Sequence, residues 1–318
     1  MLLAAYAHEG SLRHWALTNG TLLTTLKLNS FGLGGVSFDV GAKFLATSAG
    51  VEWEAHKSEK EYRGFWVWDA QTGRVTKEAF TDGAFLYPNI QLSRDGRWVL
   101  HVGIVNYSVF QNDKSVTWEP VIGSGSNTLY EGEDSIHADP EEHDFDVLAI
   151  DSQEDFFAVA NEAGKIAIYP FNKSISLIDS KPVWIDDPYT IIESGDIEAL
   201  GPTPLALAFD PTRHWLARVR GTELVVWDLQ LADYKRQLEA PVGQTSGITA
   251  SLAFNPGGEL LGVGTVNGWQ IWNVKTGEQI VSGTDAEVYA VTFSSDGRLF
   301  VWGDASGVVH VWGVPSSE

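Results

Sequence analysis

The eight histidines of this 318-residue chain do not stand at metal-ligand spacing. His56, His137 and His143 fall in long polar stretches, and His14, His101 and His310 lie on or beside predicted strands. There is no cysteine, which removes disulfides, thiolate nucleophiles and thiolate metal ligands. The acidic run from Glu131 to Asp139 has its oxygens and glycine out of register with a calcium loop. No Gly-x-Ser-x-Gly, His-Glu-x-x-His or Gly-Lys-Ser/Thr motif occurs. Gly32-Leu-Gly-Gly-Val-Ser lacks the third glycine of a dinucleotide loop and opens a strand, so it reads as a turn. These residues predict no catalytic group, no cofactor and no resident metal.

Recognition chemistry is easier to find. Residues 123–143 carry Glu131, Glu133, Asp134, Asp139, Glu141 and Glu142 with no Lys or Arg, and Tyr130 stands beside them. Residues 181–202 carry Asp186, Asp187, Glu193, Asp196 and Glu198, with Trp184 and Tyr189 among them and Lys181 as the only base. Residues 50–64 add Trp53 and Tyr62 in a charged run. Rings that anchor and carboxylates that steer make up an interface for a protein with a basic or mixed surface. The net charge of −21 argues against nucleic acid, whose binding needs Lys and Arg to displace counterions. The bland alternative is that such loops are merely solvated, with a tryptophan folded back over its own strands.

The rest of the chain must position these stretches, and it repeats. Trp269-Gln-Ile-Trp272-Asn-Val-Lys-Thr-Gly277 recurs as Phe65-Trp-Val-Trp68-Asp-Ala-Gln-Thr-Gly73, Leu224-Val-Val-Trp227-Asp-Leu, Leu12-Arg-His-Trp15-Ala-Leu-Thr-Asn-Gly20 and Val308-Val-His-Val-Trp312-Gly. Phe110 and Tyr169 take the aromatic place in weaker copies. The interval is 40 residues from Trp272 to Trp312, 42 from Trp68 to Phe110 and 45 from Trp227 to Trp272. That is the period of a four-stranded propeller blade. The fullest copy predicts strands over 248–254, 260–265, 269–274 and 279–282, with Gly, Pro or Asn at each break. Strand one recurs at 205–209 and 288–293, followed by turns such as Asp210-Pro-Thr-Arg213 and Ser294-Ser-Asp-Gly297.

These units resemble WD40 repeats over nearly the whole chain. The Trp-Asp dipeptide is intact at Trp68-Asp69 and Trp227-Asp228, and the family's Gly-His before strand one is missing throughout. The resemblance implies an all-β, seven-bladed propeller of four-stranded antiparallel blades, with the His–Ser/Thr–Asp–Trp network of that family absent or incomplete. Blades fall at about 1–29, 30–81, 83–122, 144–180, 203–241, 245–283 and 286–314 within a single domain. Residues 21–28 serve either as the outer strand of blade one, in an open seven-blade ring, or as that of the last blade, in a closed six-blade ring. The edge formed by Val308, Val309, His310, Val311 and Trp312 has no charge or proline to blunt it, so it is expected to be covered by 21–28 or by a partner chain.

Counting strands, 50–64 joins strands two and three of blade two, and 123–143 and 181–202 link blades. All three are therefore expected on one side of the ring. The resemblance implies a non-catalytic scaffold or sensor that binds another protein. The uneven repeats read as bacterial, pointing to a subunit of a signalling, defence or assembly complex. The alternative is a propeller enzyme or small-ligand binder using the central channel, because Trp68 to Gly73 and Trp272 to Gly277 also resemble blade motifs of quinone-dependent dehydrogenases. No stretch approaches a membrane span, the start lacks a signal-peptide pattern, and the absence of cysteine suits a cytoplasmic protein.

Overall fold

The computed structural model describes residues 2–7, 11–16, 21–27, 32–39, 41, 43–50, 64–80, 89–94, 96, 98–103, 106–111, 145–151, 153, 156–161, 166–170, 177–178, 181–182, 190–192, 205–230, 236–242, 251–284 and 287–314. Among them there is no helix, and every strand pairs antiparallel with its neighbours. The first sheet is β1 (Leu2–Ala7), β2 (Ser11–Ala16) and β3 (Thr21–Lys27), and the next is β4 (Gly32–Phe38), β5 (Phe44–Gly50), β6 (Gly64–Asp69) and β7 (Arg74–Phe80). Then come β8 (Asn89–Leu92), β9 (Trp98–Gly103) and β10 (Asn106–Gln111). A further sheet holds β11 (Phe145–Ile150), β12 (Phe156–Asn161) and β13 (Ile166–Pro170). A two-stranded ribbon of β14 (Leu177–Ile178) and β15 (Lys181–Pro182) follows, and β16 (Thr190–Ile192) then returns to pair with β13. The remaining sheets are β17 (Leu205–Phe209) to β20 (Arg236–Pro241) through β18 (Trp215–Arg220) and β19 (Glu223–Asp228); β21 (Ser251–Phe254) to β24 (Glu278–Thr284) through β22 (Leu260–Thr265) and β23 (Gly268–Asn273); and β25 (Val288–Phe293), β26 (Leu299–Asp304) and β27 (Val309–Gly313).

By contacts the chain forms two compact units, one of residues 1–150, 154–161 and 165–192, the other of 151–153, 162–164 and 193–318. The same packing rule operates in each. Trp68 lies with Leu12, Leu45 and Ala70, facing the sheet before its own, whereas Phe65 and Val67 on the other face meet Ile90, Leu92 and Val99 of the sheet after. In the second unit Trp272 and Val263 pack on Val219, Leu224 and Val226, and Trp269 and Ile271 pack on Val288, Phe300 and Trp302. A middle strand covered on both faces has no polar side to show. That is why these segments read as nearly continuous apolar runs instead of alternating ones.

The aromatic of the repeat also marks a backbone irregularity. The ladder between strands three and four shifts register immediately before Trp15, Trp68, Trp227 and Trp272. One extra residue in the outer strand bends it and increases the local twist. After the tryptophan, Asp69 Oδ1 accepts from the backbone N–H of Gln71 (3.0 Å) and Thr72 (2.8 Å), and Asn273 does the same for Lys275 (2.9 Å) and Thr276 (3.0 Å). The Asp of the Trp-Asp dipeptide therefore closes the turn between strands three and four, and Thr72 holds its carboxyl below the usual carboxylate range.

Strand one ends on a buried polar residue: Asp39, Ser93, Asp151, Asp210, Asn255 and Ser294. Its side chain or backbone closes the following turn, as in Phe44 N–H to Asp39 Oδ1 (2.7 Å) and Leu299 N–H to Ser294 Oγ (2.9 Å). Neighbouring sheets lock together here. A methyl group placed on Gly258, whose φ is +72°, would lie 2.4 Å from Asp210 Oδ1 of the preceding sheet, and one on Gly96 would lie 2.7 Å from Phe44. Only glycine both adopts that φ and admits the neighbour.

Bonds between first strands set the orientation of the sheets. Ser37 Oγ accepts from Leu92 N–H (2.9 Å), and Gln91 Oε1 accepts from Ile150 N–H (2.8 Å), so β4, β8 and β11 end at the same rim of the first unit. Turns after strands one and three lie on that rim, and turns after strand two on the other. Residues 51–63, between β5 and β6, are thus held from the second rim. Residues 171–189, between β13 and β16, are held from the first.

This corrects the expected strand count. Residues 190–192 lie inside the stretch 181–202 expected to link blades, yet they form the outer strand of their sheet. Residues 50–64 and the 183–189 part of that stretch therefore do not leave from one side. The reason is physical: Leu177–Ile178 after strand three pairs with Lys181–Pro182 in a ribbon of its own while Thr190–Ile192 takes the outer place beside β13, and spacing alone cannot say which short segment pairs there.

Candidate functional site

Trp53, Tyr62, Tyr130, Glu131, Glu133, Asp134, Trp184, Asp186, Asp187 and Tyr189 all lie outside the described residues, and only the strands that carry their segments are fixed. Trp53 and Tyr62 belong to the β5–β6 connection on one rim. Trp184, Asp186, Asp187 and Tyr189 belong to the β15–β16 connection on the other. Tyr130 to Asp134 lie between β10 and β11, which the chain leaves at the first rim and enters at the second. Phe110 and Tyr169 stand on β10 and β13, their side chains outside the described set.

The described residues also hold polar groups inside the sheets that the repeat pattern does not reveal. In strand two, the residue two places after the partner of the repeat aromatic is Thr47 in β5, Arg218 in β18, Val263 in β22 and Trp302 in β26. Thr47 Oγ1 accepts the indole N–H of Trp68 at 2.9 Å, a surviving half of the network typical of the resembled family. At Val263 no acceptor exists, and Trp272 donates to Gln270 instead (3.2 Å). Arg218 replaces the hydroxyl with a guanidinium that is 1% exposed, lies over Trp227 at 5.3 Å and pairs with the half-exposed Glu223. A fully buried arginine is rare unless paired. Aligning strand two across the repeats would have exposed it.

The turn between β26 and β27 is built around Asp304. Its carboxylate accepts from Ser306 N–H (2.9 Å), Ser306 Oγ–H (2.5 Å) and Val308 N–H (3.0 Å), and it meets His310 Nε2 at 2.7 Å. The Ser306 hydroxyl and then His310 hold its carboxyl far below the usual carboxylate range. Ser306 donates to the aspartate and not to the histidine, so the three do not form a nucleophile and its base. His310 stacks on Trp302 at 5.0 Å and 9°.

Of the edge candidates, Val309 to Trp312 form most of β27 and Val308 precedes it. Val308 and Val311 are 48% and 49% exposed. β3 pairs with β2 in its own sheet, and among the described residues no strand is hydrogen-bonded to the outer side of β27. Among those residues, too, no group of three or more His, Asp or Glu is placed to hold a metal ion.

Strands laddered in chain order, sheet packed on sheet through strands buried on both faces, define the β-propeller fold. The match to a solved structure, the β-propeller domain of Cps50 (Swd1) from Myceliophteria thermophila, has a TM-score of 0.69 and covers 99% of this chain and 94% of that one. Identity between the two is 12%, so the likeness shows the fold and nothing finer. Solved chains matching this structure number 1638, and a fold so widely shared does not select a function. The sequence itself matches no protein-family model and no curated protein.

Proposed function

We propose that this chain is a non-catalytic, seven-bladed propeller scaffold or sensor that binds another protein through its long acidic and aromatic insertions. It would work as a cytoplasmic subunit of a larger bacterial signalling, defence or assembly complex. The observation that carries the reading is the propeller likeness over 99% of the chain. Propellers repeat one unit, and additions to a single unit mark where recognition has been added. Support for seven blades comes from β3, which is hydrogen-bonded to β2 as the outer strand of a sheet of its own.

The partner has a basic or mixed surface. Because the insertions leave from two rims, its contacts divide into a Trp53/Tyr62 group and a Trp184/Tyr189 group, with Asp186 and Asp187 beside the latter. The acidic residues chiefly raise the association rate, so salt slows binding more than it speeds release. The test is capture of partners by the tagged full chain from its own organism, followed by binding kinetics with the purified partner. Trp53→Ala/Tyr62→Ala and Trp184→Ala/Tyr189→Ala are compared in those kinetics. Loss of affinity in either double variant is expected. A complex indifferent to both and to salt overturns the assignment.

A further inference from the structure

We propose that the outer edge of β27 pairs with the same edge of a second copy of this chain, antiparallel and centred on His310. The hydrogen bonding of β27 to β26 decides which groups are spent. Asp304 N–H bonds Val308 C=O at 3.0 Å, Val314 N–H bonds Arg298 C=O at 2.7 Å, and His310 and Trp312 lie opposite Trp302 and Phe300 between those bonds. In an antiparallel ladder the bonded pairs alternate. Residues 308, 310, 312 and 314 therefore turn their backbone groups inward, and Val309, Val311 and Gly313 turn theirs outward.

Those outward groups fit a copy of themselves. Val309 and Val311 lie symmetrically about His310. A two-fold axis at His310 sets Val309 of one chain against Val311 of the other, twice, and each such pair exchanges both backbone bonds. The side chains agree with this register. Val-Val-His-Val-Trp reads nearly the same from either end and carries no formal charge at neutral pH, so like residues do not repel across the axis. Val311, half exposed here, gains a valine neighbour. A strand from an unrelated protein would not need this symmetry.

Sedimentation equilibrium of the full chain at tens of micromolar tests the idea. A monomer–dimer equilibrium is expected that tightens with salt, because each copy carries a net charge of −21. A complex with a basic partner weakens with salt, so the two proposals fail separately. Val311→Pro removes an outward N–H that β26 does not use, and is expected to stay folded and lose the dimer. Val311→Lys repeats the block without fixing φ. Since the chain has no cysteine, His310→Cys supplies one thiol. Opposed non-bonded residues have Cα atoms about 4.5 Å apart, within disulfide reach. Oxidation is expected to couple two copies of the His310→Cys variant and not of a Val308→Cys variant. A chain that is monomeric at every salt concentration overturns the proposal. So does a dimer that survives both Val311 substitutions, or a position 310 thiol that does not couple. Should neither Val311 variant fold, the thiol result decides.

Discussion

β21–β24 and β25–β27 begin from nearly the same text and end in different surroundings. Ile271 on β23 is 1% exposed, and Val311 at the matching place on β27 is 49% exposed. Trp272 is buried, whereas Trp312, one repeat later, is half-buried although its ring centroid lies 5.5 Å from that of Trp269. β23 has β24 beside it and a packed sheet on each face, but β27 closes its own sheet. A repeat unit thus owes its burial to its neighbours as much as to its own residues. Where the neighbour stops, the same apolar letters become surface.

The largest test of this contrast is Trp272→Ala, expected to cost about 3–5 kcal/mol in urea unfolding. Trp312→Ala should cost less than half as much, because its site already opens to solvent. Equal costs would break the comparison.

Glycine gives the next effect. Gly258 and Gly307 have φ of +72° and +79°, so alanine at either costs about 1–2 kcal/mol for the left-handed backbone. At Gly258 the methyl also meets the Asp210 carboxylate, which Thr212 and Arg213 hold in place, whereas at Gly307 nothing lies within 4 Å. The melting temperature should fall further for Gly258→Ala. Matching shifts would show that the Asp210 contact yields freely.

Ser251→Ala is a smaller change. It removes the acceptor that Val291 N–H uses at 2.7 Å between β21 and β25. A loss of about 1 kcal/mol is expected, read from the denaturant midpoint.

Acid should act on the last sheet. The folded carboxyl of Asp304 is depressed, so its contribution is fully present above the ordinary aspartate range and is lost as pH falls through and below it. Asp304→Asn should be less stable than the parent at neutral pH. The gap should begin to narrow below about pH 4 and shrink progressively as pH falls further, in unfolding curves taken across that range. A gap that persists unchanged would assign the effect to shape and not to charge.

Much of this was readable in advance because it is local. The predicted strands 260–265, 205–209 and 288–293 coincide with β22, β17 and β25, since Gly, Pro and Asn at the breaks leave few other places to turn. Burial of Trp68, Trp227 and Trp272 followed from the period. The outer strand at 190–192 did not. It is three residues long and follows an excursion with its own two-stranded ribbon, so the period passed over it. Arg218 escaped because a charged residue in a strand reads as solvent-facing until both faces are known to be covered.

By itself, then, the sequence determined the repeat, the antiparallel strands and the residues that turn them, because backbone preference and apolar spacing act over a few residues at a time. Only the tertiary structure decided which rim each insertion leaves from, where Arg218 is buried and that, among the described residues, no strand is hydrogen-bonded to the outer side of β27. Those outcomes depend on which strand pairs with which across tens of residues, and no local preference encodes a partner.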